Sequence, residues 1–211
     1  MRVIRINKID EFRNVSTIVR EVLREGGLII YPTDTVYGLG CDPLSERAVI
    51  KIFKLKKRKL EKPLPVLISN LEIGKRIAYF NKLAEELAKE FWPGPLTLIL
   101  KKKRIIPDVV TGNKDTIGIR MPNHEIALAI ININNGMLIG TSANLSGRKP
   151  PITAEEAVSQ LGNVDLVIDS GKAPLGIPST CIDLTTVPPR LVREGAITKS
   201  LIERVLGEKL L

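Results

Sequence analysis

The sequence predicts an α/β protein, a sandwich around one mixed, twisted β-sheet. Apolar residues at helical spacing alternate with short apolar runs along the whole chain, and no repeat or low-complexity linker interrupts them. Its 211 residues are also enough to bury about 70% of the unfolded surface in one domain, residues 1–211. Strand order does not follow from this pattern.

Taken in order, Val15, Ile18, Val19, Val22 and Leu23 recur at helical spacing and stop at Gly26-Gly27. Leu28 to Tyr31 reads as a buried strand running into a turn-rich hydroxyl segment, Pro32 to Gly40. Ala48, Val49, Ile52 and Phe53 define a second helix, Pro63 ends that pattern, and Leu64 to Ile68 is extended. Leu83, Ala84, Leu87, Ala88 and Phe91 form a helix that stops at Trp92-Pro93-Gly94-Pro95. Strands at Leu96 to Leu100 and Thr116 to Arg120 are joined by a polar loop. Glu125 to Ile131 is helical, and Met137 to Ile139 is a strand delivering the loop Gly140 to Gly147. Ala154 to Leu161 is helical, and Leu166 to Ile168, Thr180 to Leu184 and Leu191 to Arg193 are extended. A last helix starts near Thr198.

Composition narrows the function. Aromatics are only 4%, so Ile, Leu and Val must build the core. The net charge of +9 favours anionic partners, although lysine-rich surfaces also serve solubility. The charge concentrates in Lys51 to Lys62, where seven cations meet one carboxylate, Glu61. Cys41 and Cys181 are far apart and read as buried free thiols, not as a zinc or disulfide framework. His124 is the only histidine, which excludes a multi-histidine metal centre and reads as a cap or surface residue. No signal-peptide core and no apolar run of membrane-spanning length is present, so the expected location is cytoplasmic, with no membrane partner.

No G-x-x-x-x-G-K-[ST] phosphate loop occurs, so any nucleotide must be held by another route. Thr33, Asp34 and Thr35 offer hydrogen bonds to a small polar substrate, or form an ordinary strand-exit turn. Lys56 and Arg58 offer a point charge and a planar fork for phosphates, or a solvated basic helix end or RNA patch. Ser142 and Asn144, two apart, face one side if the segment is extended, with amides near Gly140 and Gly147 completing an anion nest; a plain turn is the alternative. Arg120, at a strand end, suits a carboxylate, either a substrate's or a surface acid's.

The ordered set Thr-Asp-Thr-Val-Tyr-Gly-Leu-Gly, Lys-x-Arg, Trp-Pro-Gly-Pro-Leu-Thr, Ile-Gly-Ile-Arg-Met-Pro, Thr-Ser-Ala-Asn-Leu-Ser-Gly and Pro-Ser-Thr resembles the YrdC family of threonylcarbamoyl-AMP synthases, from about Gly26 to Gly195. The resemblance implies an open twisted sheet with a basic concave face. It implies formation of threonylcarbamoyl-adenylate from L-threonine, bicarbonate and ATP with release of pyrophosphate, for N6-threonylcarbamoyl modification of tRNA. It implies Mg2+ with the ATP, and transient contact with a tRNA threonylcarbamoyltransferase complex. A non-catalytic RNA- or tRNA-binding protein on the same scaffold is the alternative.

By the same resemblance, Lys56, Arg58, Ser142 and Asn144 line the reaction site, and Lys62, Thr116, Pro150 and Arg193 join them around ATP. Thr33, Thr35, Arg120, Gly140 and Ser179 or Thr180 hold threonine, with Arg120 on its carboxylate. No side chain is implied as a metal ligand. Lys59 stands where many members have Pro, and Leu67 where longer members have His near the threonine. The chain stops at Leu211, and by this reading lacks the additional C-terminal domain of longer members.

Overall fold

The computed structural model describes residues 1–211. The chain begins with β1 (Arg2–Arg5), a 3-10 turn (Ile9–Asn14), α1 (Ser16–Arg24), β2 (Ile29–Tyr31) and β3 (Gly38–Gly40). It continues through α2 (Glu46–Lys56), β4 (Val66–Ile68), α3 (Leu71–Ile77), β5 (Ala78–Tyr79), α4 (Lys82–Phe91) and β6 (Leu96–Lys102). Next come α5 (Asp108–Thr111), β7 (Thr116–Arg120), α6 (Glu125–Ile133), β8 (Met137–Ile139) and β9 (Thr141–Ser142). The last elements are α7 (Ala154–Leu161), β10 (Leu166–Asp169), β11 (Thr180–Asp183), β12 (Arg190–Arg193) and α8 (Lys199–Leu206).

The mixed α/β fold is as expected, but the single sheet is not: the strands form two. One runs β1-β10-β2-β3-β9, parallel across its first three strands and antiparallel beyond. The other runs β12-β11-β6-β7-β4-β8, with β5 beside β6, and mixes both senses. The sheets meet where β8 gives way to β9. Ile139 N–H donates to Cys41 O at 3.0 Å, and Gly140 N–H donates to Pro65 O at 2.9 Å. The chain thus changes sheet at one residue, Gly140. A Cβ there would overlap the Leu67 side chain, so only glycine fits.

Alternation along β2 and β10 divides the interior. Ile29, Tyr31, Leu166 and Ile168 pack against α1 and α6, whereas Ile30 and Val167 face the larger core. Both faces are buried, which is why these strands read as continuous apolar runs. The helices start where the sequence supplies caps. Asn81 Oδ1 accepts from Ala84 N–H at 2.8 Å and Thr153 Oγ1 from Glu156 N–H at 3.2 Å. His124 is a cap as well, its Nδ1 accepting from Ala127 N–H.

The structure adds elements the sequence did not announce. β1 is an exposed edge strand whose Arg-Val-Ile-Arg pattern carries charge on both sides. α3 has Gly74 in its interior, a poor helix former, and Gly74 is there because a Cβ would press on Ile68 at 2.9 Å. The expected polar loop before β7 contains α5, and the segment Pro32 to Gly40 is no open loop, because its end returns as β3 against β2.

Candidate active site

The cavity floor is one face of the larger sheet. Register places Arg193, Cys181 and Thr97 side by side, and then Arg120 and Leu67 on the next strands. Two residues further along each strand, about 7 Å away, Asp183, Ile99 and Gly118 form a second row. Thr116 lies beyond it. A bulge opposite Cys181 and Ile182 inserts one extra residue in β12, which brings Arg193 into line with Cys181. Over this floor lies a cavity of about 630 Å³, walled by Thr33, Thr35 to Gly38, Arg58, Gly140 to Ser142, Pro150 and Ser179. A Cβ on Gly118 would come no closer than 3.4 Å to Pro65 and Thr97, so packing does not demand glycine and the space above it stays open to a ligand.

At the inner end the chain after β2 folds on itself. Thr33 Oγ1 donates to Val36 O at 2.6 Å and accepts from the Thr35 and Val36 amides, fixing a tight turn. Arg120 projects into this turn. Its Nε donates to Gly94 O at 2.9 Å, Nη1 to Thr35 Oγ1 at 2.9 Å, and Nη2 to Asp34 Oδ1 in a buried ion pair. The sequence left open whether Arg120 pairs with a substrate carboxylate or a protein acid; it pairs with Asp34, and the acid is buried rather than on the surface. Three of the five guanidinium N–H groups are committed, and two are left for a ligand. Asp34 Oδ2 has no partner at all.

The basic segment does not present its residues alike. Lys56 is 1% exposed, and its ammonium donates inward to Ser142 O and to Asn144 O (2.6 Å for the latter). It is not among the residues that line the cavity, where the sequence placed it beside Arg58. It holds the Ser142–Asn144 loop, while Ser146 N–H returns a bond to Lys56 O at 2.9 Å. Burial, reinforced by the Arg58 charge, lowers the Lys56 pKa from 10.5 to about 7. The folded chain therefore binds fewer protons than the unfolded chain between those values, so stability rises with pH across that window. Lys56→Met cannot titrate and is expected to flatten this rise in urea unfolding at a series of pH values. Identical slopes for the two proteins would show that Lys56 is not the titrating amine.

Arg58 does line the cavity, steadied by bonds from Nε to Lys62 O at 3.2 Å and from Nη2 to Pro63 O at 2.9 Å. Desolvation lowers its pKa without threatening its charge. Lys62 is exposed and outside the cavity wall; its carbonyl serves Arg58. Ser142 lines the cavity, but Asn144 does not share its side. Asn144 N–H turns back to Ser142 O at 2.9 Å, so the segment is not extended there. Asn144 Nδ2 donates to Leu145 O and Arg148 O, holding its own loop, and its buried Oδ1 is unpartnered.

Between Ser179 and Thr180, the structure puts Ser179 at the cavity. Ser179 Oγ lies 2.9 Å from Thr97 Oγ1, and Arg193 donates to Ser179 O from Nε and Nη2. Thr180 is fully buried and pins the following segment through Gly195 N–H, Ile197 N–H and Ile197 O. Thr33, Thr35, Thr116, Gly140, Pro150 and Arg193 also line the wall. Polar residues that the sequence reading missed include Thr97, Lys114, Cys181, Asp183 and Arg190. The strand alternation Thr97-x-Ile99 and Cys181-x-Asp183 was the available signal, since it puts polar groups on a face too short of apolar residues for a core. Cys181 is only partly buried, unlike the expectation, and desolvation raises its thiol pKa to about 11.

The wall carries five cations, Arg58, Lys114, Arg120, Arg190 and Arg193, and one carboxylate, Asp183, which pairs with Arg190 at 3.2 Å. No group of three or more His, Cys, Asp or Glu is gathered anywhere, so the donor set makes no metal cage of its own. No helix is long and apolar enough to cross a membrane.

Fold and cavity together define an α/β protein with a concave site suited to an anionic small molecule. The chain belongs to the Sua5/YciO/YrdC family, whose model, described under telomere recombination, matches residues 21–195. A Pyrococcus abyssi protein named threonylcarbamoyl-AMP synthase is 44% identical over 188 residues, covering 88% of this chain and 55% of that one. A Bacillus subtilis protein of the same name is 39% identical over 192 residues, with 88% and 55% covered. The chain thus spans about half the length of these relatives. A Methanocaldococcus jannaschii relative, 39% identical, is matched over 89% of both chains. Among solved structures, P. abyssi Sua5 complexed with L-threonine superposes with a TM-score of 0.94 at 41% identity, covering 100% of this chain and 62% of that one. Escherichia coli YciO superposes at 0.81 with 31% identity, covering 93% and 95%.

Proposed function

We propose that this chain forms L-threonylcarbamoyl-AMP from L-threonine, bicarbonate-derived CO2 and Mg-ATP. One observation carries the reading: a single cavity joins a hydroxyl-rich end, with Thr35, Arg120 and Ser179, to a basic wall with Arg58 and Arg193. The first suits an amino acid and the second a triphosphate. The names of the relatives supply the reaction.

The chemistry asks for no protein nucleophile. The threonine amine adds to CO2 and loses a proton, giving a carbamate. A carbamate oxygen then attacks the α-phosphorus of ATP, the bond to the β-phosphate oxygen breaks, and pyrophosphate leaves. The free N–H groups of Arg120 and the Thr35 and Ser179 hydroxyls hold the amino acid. Ser142 and Arg58 face the phosphates, where charge grows on the leaving group. Magnesium arrives on the nucleotide as part of the substrate. The product is a reactive mixed anhydride, which a transferase acting on tRNA would consume, in the cytoplasm where ATP and threonine are available.

The test is pyrophosphate release by purified protein with Mg-ATP and bicarbonate, with and without L-threonine. Threonine-dependent release, with the adenylate mass in the products, is expected. Release that ignores threonine, or none, would end this reading.

A further inference from the structure

The two basic edges of the cavity differ in how much charge they have left to give. On the β12 edge Arg190 is neutralised by Asp183, while Arg193 keeps its charge but gives three N–H donors to Ser179, which leaves that edge one free positive charge. On the opposite edge, Arg58 bonds only to the Lys62 and Pro63 carbonyls, so its full charge remains uncompensated. Lys114 lines the same cavity, and its side chain makes no hydrogen bond or ion pair within the protein.

The backbone of Lys114 is held in place, while its side chain is exposed. Its carbonyl accepts from Thr111 Oγ1 at 2.9 Å, and its N–H donates to Thr111 O at 3.2 Å. Gly112, at φ +59°, caps α5 on its approach. A Cβ on Gly112 would stand 2.7 Å from Glu61 O, so this turn is pressed against the segment that carries Arg58. Arg58 and Lys114 thus both line the cavity from segments that touch at Gly112 and Glu61, and the one carboxylate of the lining, Asp183, lies on β11 beside Arg190.

Given the reaction proposed above, on which this step rests, we infer that Lys114 is a further binding residue, holding the departing pyrophosphate together with Arg58. The leaving group is the most highly charged species in the reaction, and it settles where positive charge is least compensated. The amino acid end, around Arg120, lies four residues further along β7 than Thr116, about 13 Å away, which leaves room for the α-phosphate between them.

The experiment titrates inorganic pyrophosphate with Mg2+ calorimetrically into the wild type, Lys114→Ala and Lys82→Ala. Lys82 is an exposed lysine paired with Glu86 on α4, outside the cavity, and matches the change in net charge. Loss of a charge-assisted contact is expected to weaken pyrophosphate binding about ten-fold in Lys114→Ala, with Lys82→Ala like the wild type. Pyrophosphate as a product inhibitor of threonine-dependent turnover should weaken by the same factor. Equal binding by Lys114→Ala and wild type, equal losses in both variants, or no binding by the wild type would each overturn the inference. Lys114-dependent pyrophosphate binding in a protein without threonine-dependent release would uphold the anion site and overturn the synthase reading instead.

Discussion

Arg120→Ala is expected to cost roughly 3–5 kcal/mol of stability, the range for breaking a buried ion pair, and to lose threonine binding as well. The reason lies in Asp34. Arg120 and Asp34 side chains are 7% and 8% exposed, and Asp34 Oδ2 already lacks a partner. Removing the guanidinium leaves a whole carboxylate buried and uncompensated, and also frees Gly94 O and Thr35 Oγ1. The double variant Asp34→Ala/Arg120→Ala should therefore be more stable than Arg120→Ala alone, because no buried charge is stranded. Urea unfolding of the wild type, the single variants and the double variant checks the coupling. Additive losses would mean that the pair is not coupled. Threonine affinity is best compared between Asp34→Ala and the double variant, once both are shown to be folded, since that difference reports Arg120 without a stranded carboxylate.

That coupling marks where sequence reading stops. Thr116 to Arg120 and Met137 to Ile139 were legible to the residue, because apolar periodicity and turn residues set their limits. The position of Arg120 at a strand end was legible for the same reason. Its partner was not, since Asp34 is 86 residues away and only the tertiary fold brings them together. The same holds for Lys56. A lysine in a basic run reads as solvated or phosphate-facing, yet helix phase puts Lys56 on the buried side of α2 with Ile52 and Phe53. Its ammonium then meets backbone carbonyls rather than a ligand. Alternation also misled at Ser142 and Asn144, because period-two reasoning assumes an extended chain and the backbone turns between them. The second sheet was invisible for a related reason. The switch at Gly140 depends on Leu67 filling the space beside it, which no local pattern records.

Arg58→Ala is expected to reduce threonine-dependent pyrophosphate release by at least ~100-fold, the usual cost of removing a charge-stabilising donor, while leaving the fold nearly as stable as before. The two halves of this outcome have separate causes. Arg58 has no ion-pair partner, so its removal strands no charge. The carbonyls it releases, Lys62 O and Pro63 O, lie on an exposed to half-exposed segment where water replaces the bond. Stability should then fall by only about 1–2 kcal/mol, far less than for Arg120→Ala. Activity depends on the same guanidinium differently. Held by two carbonyls at fixed distances, it meets the growing charge on the leaving group without reorganising. Arg58→Lys keeps the charge but has neither the planar fork nor the second anchor, so it should recover little of the lost rate. Near-normal release by folded Arg58→Ala would remove Arg58 from the phosphate site. Full recovery by Arg58→Lys would show that charge alone, and not the held fork, is what the reaction needs.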